Sequence, residues 1–188
     1  MKFLSKKREV DWPSFIDIFL DVVGVKLDTK KEFDDFVQKT HIENPTEDQF
    51  KEFIIFDLFI HYATFLTCFT KENSQLMLNT LEMNILATLM QEDYLPKPDK
   101  FDDKDWQKKF EARFNEYLPC LEEFTSEGLK KWDINRHFGS ELGKKFSKNF
   151  TGNEKNLLVV YPATWLFLTR VKHIGQALKG ILKKVVLF

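Results

Sequence analysis

The sequence predicts an all-α fold: one domain of about seven helices around a buried central helix at about residues 45–70. Three observations carry this reading. The stretch 50–70, FKEFIIFDLFIHYATFLTCFT, is apolar on every side of a helix, which is the pattern of a core helix or a membrane span. Asp57 and His61 interrupt it, and its unbroken apolar runs fall short of the roughly 18–20 residues that a span needs. Turn chemistry is scarce, with seven Gly and six Pro in 188 residues, which disfavours a many-turned β fold. Finally, 43% hydrophobic and 30% charged residues suit a folded chain, and twenty Phe against four Tyr and four Trp predict a core of large flat rings.

The elements follow in order. Residues 1–10 read as a basic, mobile lead-in. Asp11-Trp12-Pro13 opens a helix to about Val23, whose Phe15, Ile16, Phe19, Leu20 and Val23 share a face, and Gly24 ends it. A shorter helix spans about Thr29 to Lys39. Asn44 as N-cap, Pro45 in the first turn and Glu47 as capping-box partner mark the start of the central helix. After the turn KENS, a helix from about Asn73 to Asp93 forms its antiparallel partner. The loop at 95–103, with Pro96, Pro98 and a charge cluster, is the one candidate sub-boundary.

Asp102 or Asp103 caps the next helix, with Trp106, Phe110, Phe114 and Tyr117 on one face, and Pro119 bends or ends it near Tyr117. Around Gly128, Trp132, Phe138 and Gly139 short helical pieces and turns are expected, followed by a helix from about Ser140 to Phe150. In the last segment, with Leu157 as position a, the a and d sites run Leu157, Val160, Thr164, Phe167, Val171, Ile174, Leu178, Ile181, Val185 and Phe188. Its first half, LLVVYPATWLFL, is apolar all round and predicts burial. Its second half reads as an amphipathic helix. Pro162 either kinks this helix or sits in the first turn of one starting near Tyr161.

Charge is unevenly spread. From Leu142 onward nine Lys/Arg stand against Glu154 alone, a net +8, so residues 1–141 carry −9 for the chain to total −1. That asymmetry concerns partners, or the packing of the two parts on each other. Cys68 and Cys120 make neither a disulfide framework nor a metal spacing and fit a reducing, cytoplasmic setting. The N-terminus has the charges of a secretion signal without the apolar stretch.

Candidate chemistry is thin. Asp57 and His61, four apart, share a helical face. They read as a carboxylate orienting an imidazole for acid/base work or metal ligation, as polar contacts for an apolar ligand or cofactor, or as a buried pair that satisfies itself. His137 with Glu141 repeats the spacing, and His41 lies near Glu43, but no Glu-x-x-His or His-Glu-x-x-His motif accompanies them. Cys68 lies about 10 Å along the axis from His61, too far for a nucleophile and its base. There is no phosphate loop, nucleophile elbow or dinucleotide fingerprint. No metal and no particular cofactor is implied, and the balance leans away from an enzyme.

The C-terminal seam carries the functional expectation: a contact made of Val171, Ile174, Leu178, Ile181 and Val185, rimmed by Lys179, Lys183 and Lys184. It serves a protein partner or a second copy of the chain. Competing readings are plain packing of the seam on its own domain, attachment to an anionic membrane, and a helical carrier of an apolar ligand. The acidic body and the lack of a recognition motif argue against nucleic acid.

Overall fold

Seven helices and two short strands follow one another in the computed structural model, which describes residues 7–23, 25–127 and 135–187. In chain order they are β1 (Arg8–Val10), α1 (Trp12–Val23), α2 (Val25–Thr40), α3 (Glu47–Phe65), α4 (Lys71–Gln91), α5 (Asp103–Glu127), α6 (Asn135–Thr151), α7 (Leu157–Leu182) and β2 (Val185–Leu187). The all-α bundle is present as expected. Among the described residues no helix is long and apolar enough to cross a membrane.

Helix α3 sits at the centre. Every residue from Phe53 to Phe65 is buried, and α2, α4, α5, α6 and α7 all pack on it. An apolar-all-round helix needs neighbours on every side, and the phenylalanines supply the contact. Phe56 lies 4.2 Å, ring centre to ring centre, from Phe146 of α6, which stacks on Phe150 at 5.0 Å. On the other side Phe59 meets Phe114 and Tyr117 of α5 edge-on at 5.4 and 5.2 Å. Edge-on and offset pairs suit the ring quadrupole and add to area burial.

Buried acids in this core are each held by a donor. Glu52 takes Arg113 Nε at 2.9 Å and Nη2 at 2.8 Å, and Glu82 accepts the Trp106 indole N–H at 2.6 Å.

Several boundaries differ from expectation. The N-cap of α3 is Thr46, not Asn44. Thr46 Oγ1 accepts from the Gln49 backbone N–H at 3.2 Å while the Gln49 side chain accepts from the Thr46 N–H at 2.9 Å. Asn44 lies at φ 51, a left-handed turn position, whereas an N-cap needs extended backbone. Helix α5 continues through Pro119 to Glu127, because burial of Tyr117, Cys120 and Leu121 outweighs one lost backbone hydrogen bond. Helix α6 starts at Asn135, before the expected Ser140. Gly24, Gly128, Trp132 and Phe188, and the side chains of His137 and Phe138, lie outside the described residues.

The lead-in is corrected too. Arg8–Val10 pairs in parallel with Val185–Leu187, Arg8 opposite Val185, and Val10 is buried. The chain therefore leaves the helix at Leu182, and Val185 stands in a strand rather than at a heptad position.

Candidate functional site

Helix α7 begins at Asn156, whose backbone carbonyl accepts the N–H groups of Val159 and Val160 at 2.9 Å each. Three of its flanks are spoken for. Val159, Ala163, Phe167, Val171, Ile174 and Leu178 face the core. Val160 and Thr164 lie against α6 at Gly143, where an added Cβ would come within 2.5 Å of Thr164 Oγ1 and 2.8 Å of the Val160 carbonyl oxygen. Glycine is what lets the two helices approach so closely. Pro162, Leu166, Thr169, Arg170 and His173 turn toward α2.

The fourth flank is open. Leu157 and Leu158 are each 58% exposed, Tyr161 66% and Trp165 60%. Positions 158, 161 and 165 fall on one helical face, so these side chains form a ridge in water. The apolar first half of α7 was expected to be buried on every side. Too few neighbours reach it, and one face stays uncovered.

Beside the ridge, an open groove of about 810 Å³ runs between α7 and α2, with Phe36, Pro162 and Leu166 among its walls and Tyr161 and Trp165 on its edge. The exposed side chains of Asp35 and Lys39 line it from α2, and the Lys39 amine lies 5.4 Å from the centre of the Trp165 ring. Its floor is ionic. Arg170 donates from Nη2 to Glu32 as an ion pair and from Nε to Asp57 Oδ1 at 3.2 Å. One guanidinium thus ties α7 to α2 and α3, using the planar fork that makes arginine suited to part-buried carboxylates.

This geometry redefines the predicted polar pair. Asp57 and His61 are both 1% exposed, and neither belongs to the groove wall. His61 Nδ1 meets the Asp57 backbone carbonyl at 2.8 Å, so that nitrogen carries the proton. Its 3.7 Å separation from Asp57 Oδ2 is too long for a hydrogen bond. The Asp57 carboxylate serves Arg170 instead, and His61 Nε2 is buried with no hydrogen-bond partner among the described residues. The pair does not present itself to a ligand.

The seam expectation is also corrected. Val171, Ile174, Leu178, Ile181 and Val185 are between 0% and 7% exposed within the monomer. A heptad period reports an apolar stripe but not what covers it, and here α1, α2, α3 and α6 pack against α7. Lys179, Lys183 and Lys184 are exposed as foreseen, but they border core and not a free edge. The seam residues hold α7 in place, while Leu157, Leu158, Tyr161 and Trp165, six to fourteen positions before Val171, point outward.

Among the described residues no three His, Cys, Asp or Glu side chains gather as a metal site. The ions of the groove floor, Arg170 with Glu32 and Asp57, are satisfied by one another, so the groove's chemistry is that of recognition: aromatic and aliphatic area, framed by both signs of charge. Fold and site together define an all-α helical bundle with an open two-helix groove. No family model matches the chain, and neither does a curated protein or a solved structure.

Proposed function

We propose that this protein is a non-catalytic helical module that binds a protein partner through the Tyr161–Trp165 ridge and the groove between α2 and α7. The observation that carries the reading is the exposure of four large apolar side chains on one face of α7, directly beside that groove. Contiguous apolar surface rimmed by polar groups marks interaction sites, and tryptophan and tyrosine are the residues most enriched where binding energy concentrates. Two cysteines, Cys68 and Cys120, at no framework spacing suit a reducing, cytoplasmic setting.

Native mass spectrometry of the chain purified from its own host tests the proposal. Wild type carries a protein partner's mass, and Trp165→Glu loses it while keeping its helical spectrum. A partner retained by a folded Trp165→Glu chain contradicts it. The groove volume also lies in the range of small-molecule sites, which supports a second reading as a carrier of an apolar ligand. That reading predicts a small added mass on the monomer.

A further inference from the structure

We propose that the open face of α7 is the interface of a symmetric dimer, in which the Tyr161–Trp165 ridge of each copy seats in the α2/α7 groove of the other. The inference rests on the reading of ridge and groove as a protein-binding surface, and it names the partner as a second copy of this chain.

Shape is the first argument. A two-fold interface uses the same patch twice, so the patch must complement itself. Here a convex aromatic strip runs alongside a concave channel, and Tyr161 and Trp165 border both. A two-fold axis between strip and channel places each strip over the other copy's channel.

Charge is the second. Asp35 and Lys39, four apart on α2, are both exposed at the groove, and Lys172 is exposed one heptad beyond Trp165 on α7. A rim of mixed sign matches itself under two-fold rotation, whereas a strongly acidic or basic partner would set one of these charges against its like. An anionic membrane would meet Asp35 and Glu32 as well as the lysines.

Area is the third. At 58–66% exposure the four ridge residues leave on the order of 500 Å² in water, taking about 150–250 Å² for a large side chain. Two ridges give about 1,000 Å², and the half-buried Pro162 and Leu166 with the exposed Asp35 and Lys39 carry the total toward the roughly 1,200–2,000 Å² of a specific interface. That is the size class of a transient interface rather than an obligate one.

The test is the mass of the full chain by light scattering, followed from about 1 to about 200 µM. Wild type rises from 22.4 kDa toward twice that value. Trp165→Glu and Tyr161→Glu each weaken association by about thirtyfold or more, the loss expected of a central aromatic. Both positions face water, so either folded variant decides the matter if the other misfolds. A wild type that stays monomeric throughout, or a dimer indifferent to both substitutions, overturns the inference. If the monomer still holds a different protein that Trp165→Glu releases, the dimer falls while the protein-binding reading stands. Wild type that binds phosphatidylserine vesicles only as a monomer overturns both.

Discussion

Arg170 shows how much one side chain can hold. Its contacts to Glu32 and Asp57 join three helices beneath the groove, and the Asp57 side chain is buried. Removing one partner of a buried ion pair strands the other charge, at a cost of about 3–5 kcal/mol. Arg170→Met is expected to lose about that much stability in urea unfolding. Adding Asp57→Leu should restore most of it, because the stranded charge leaves as well. If the double variant is as unstable as the single one, the ionic floor is not what Arg170 supplies.

Glu82 makes a pH-dependent claim at the same scale. Burial raises its carboxyl pKa, against the opposing hydrogen bonds from Trp106 and Gln107. A raised folded-state value means that the fold holds the proton more tightly than the unfolded chain does. The charged form therefore costs stability above the folded pKa, and the cost is relieved as pH falls through it. Gln keeps an acceptor for the Trp106 N–H without the charge. Glu82→Gln is thus expected to melt higher than wild type near neutral pH, with the gap closing on acidification toward the ordinary carboxylate range. Thermal melts across that range check it, and a gap that widens toward acid contradicts the assignment.

At the scale of elements, α7 has two halves with exchanged roles. Its second half supplies Val171, Ile174, Leu178 and Ile181 to the core, and Val185 follows from β2. At about 1.5–3 kcal/mol for each buried aliphatic side chain, these five are worth roughly as much as the 5–15 kcal/mol of a whole domain's net stability. Deleting residues 171–188 is therefore expected to unfold the chain, measured as loss of a cooperative melt by circular dichroism. A truncated chain that still melts sharply would restore the seam as a free surface.

The period of that seam was legible in the sequence; what covers it was not. The same heptad serves a partner helix or the chain's own core, and only the positions of α1, α2, α3 and α6 decide between them. Helix α3 was easier, since a rod apolar on all sides has one place to go. Its start was misplaced by two residues because Asn44–Glu47 and Thr46–Gln49 both offer capping spacing. The backbone at Asn44 resolves the choice. The pairing of β1 with β2 has no local signature, being three residues matched across nearly the full chain. The ridge had a faint one. LLVVYPATWLFL carries more apolar faces than an edge helix can bury, and the surplus is Leu157, Leu158, Tyr161 and Trp165.

For the whole molecule, the acidic body and basic final quarter meet in part. Arg170 reaches back to Glu32 and Asp57, while Lys172, Lys179, Lys183 and Lys184 remain at the surface. The charge asymmetry thus serves packing at Arg170 and at Lys145, which donates to the Glu116 carbonyl oxygen at 2.6 Å, and leaves those four lysines in water. Among the exposed large apolar side chains of the described residues, Leu157, Leu158, Tyr161 and Trp165 gather at the head of α7, and the account of function stands on them. Radical footprinting of the intact chain, read by mass spectrometry when dilute and when associated, tests this most directly. The account predicts labelling of Tyr161 and Trp165 in the dilute chain that falls on association, with Ile174 and Leu178 unlabelled throughout. Labelling of Ile174 and Leu178 in the dilute chain, or no change at Tyr161 and Trp165 on association, would contradict it.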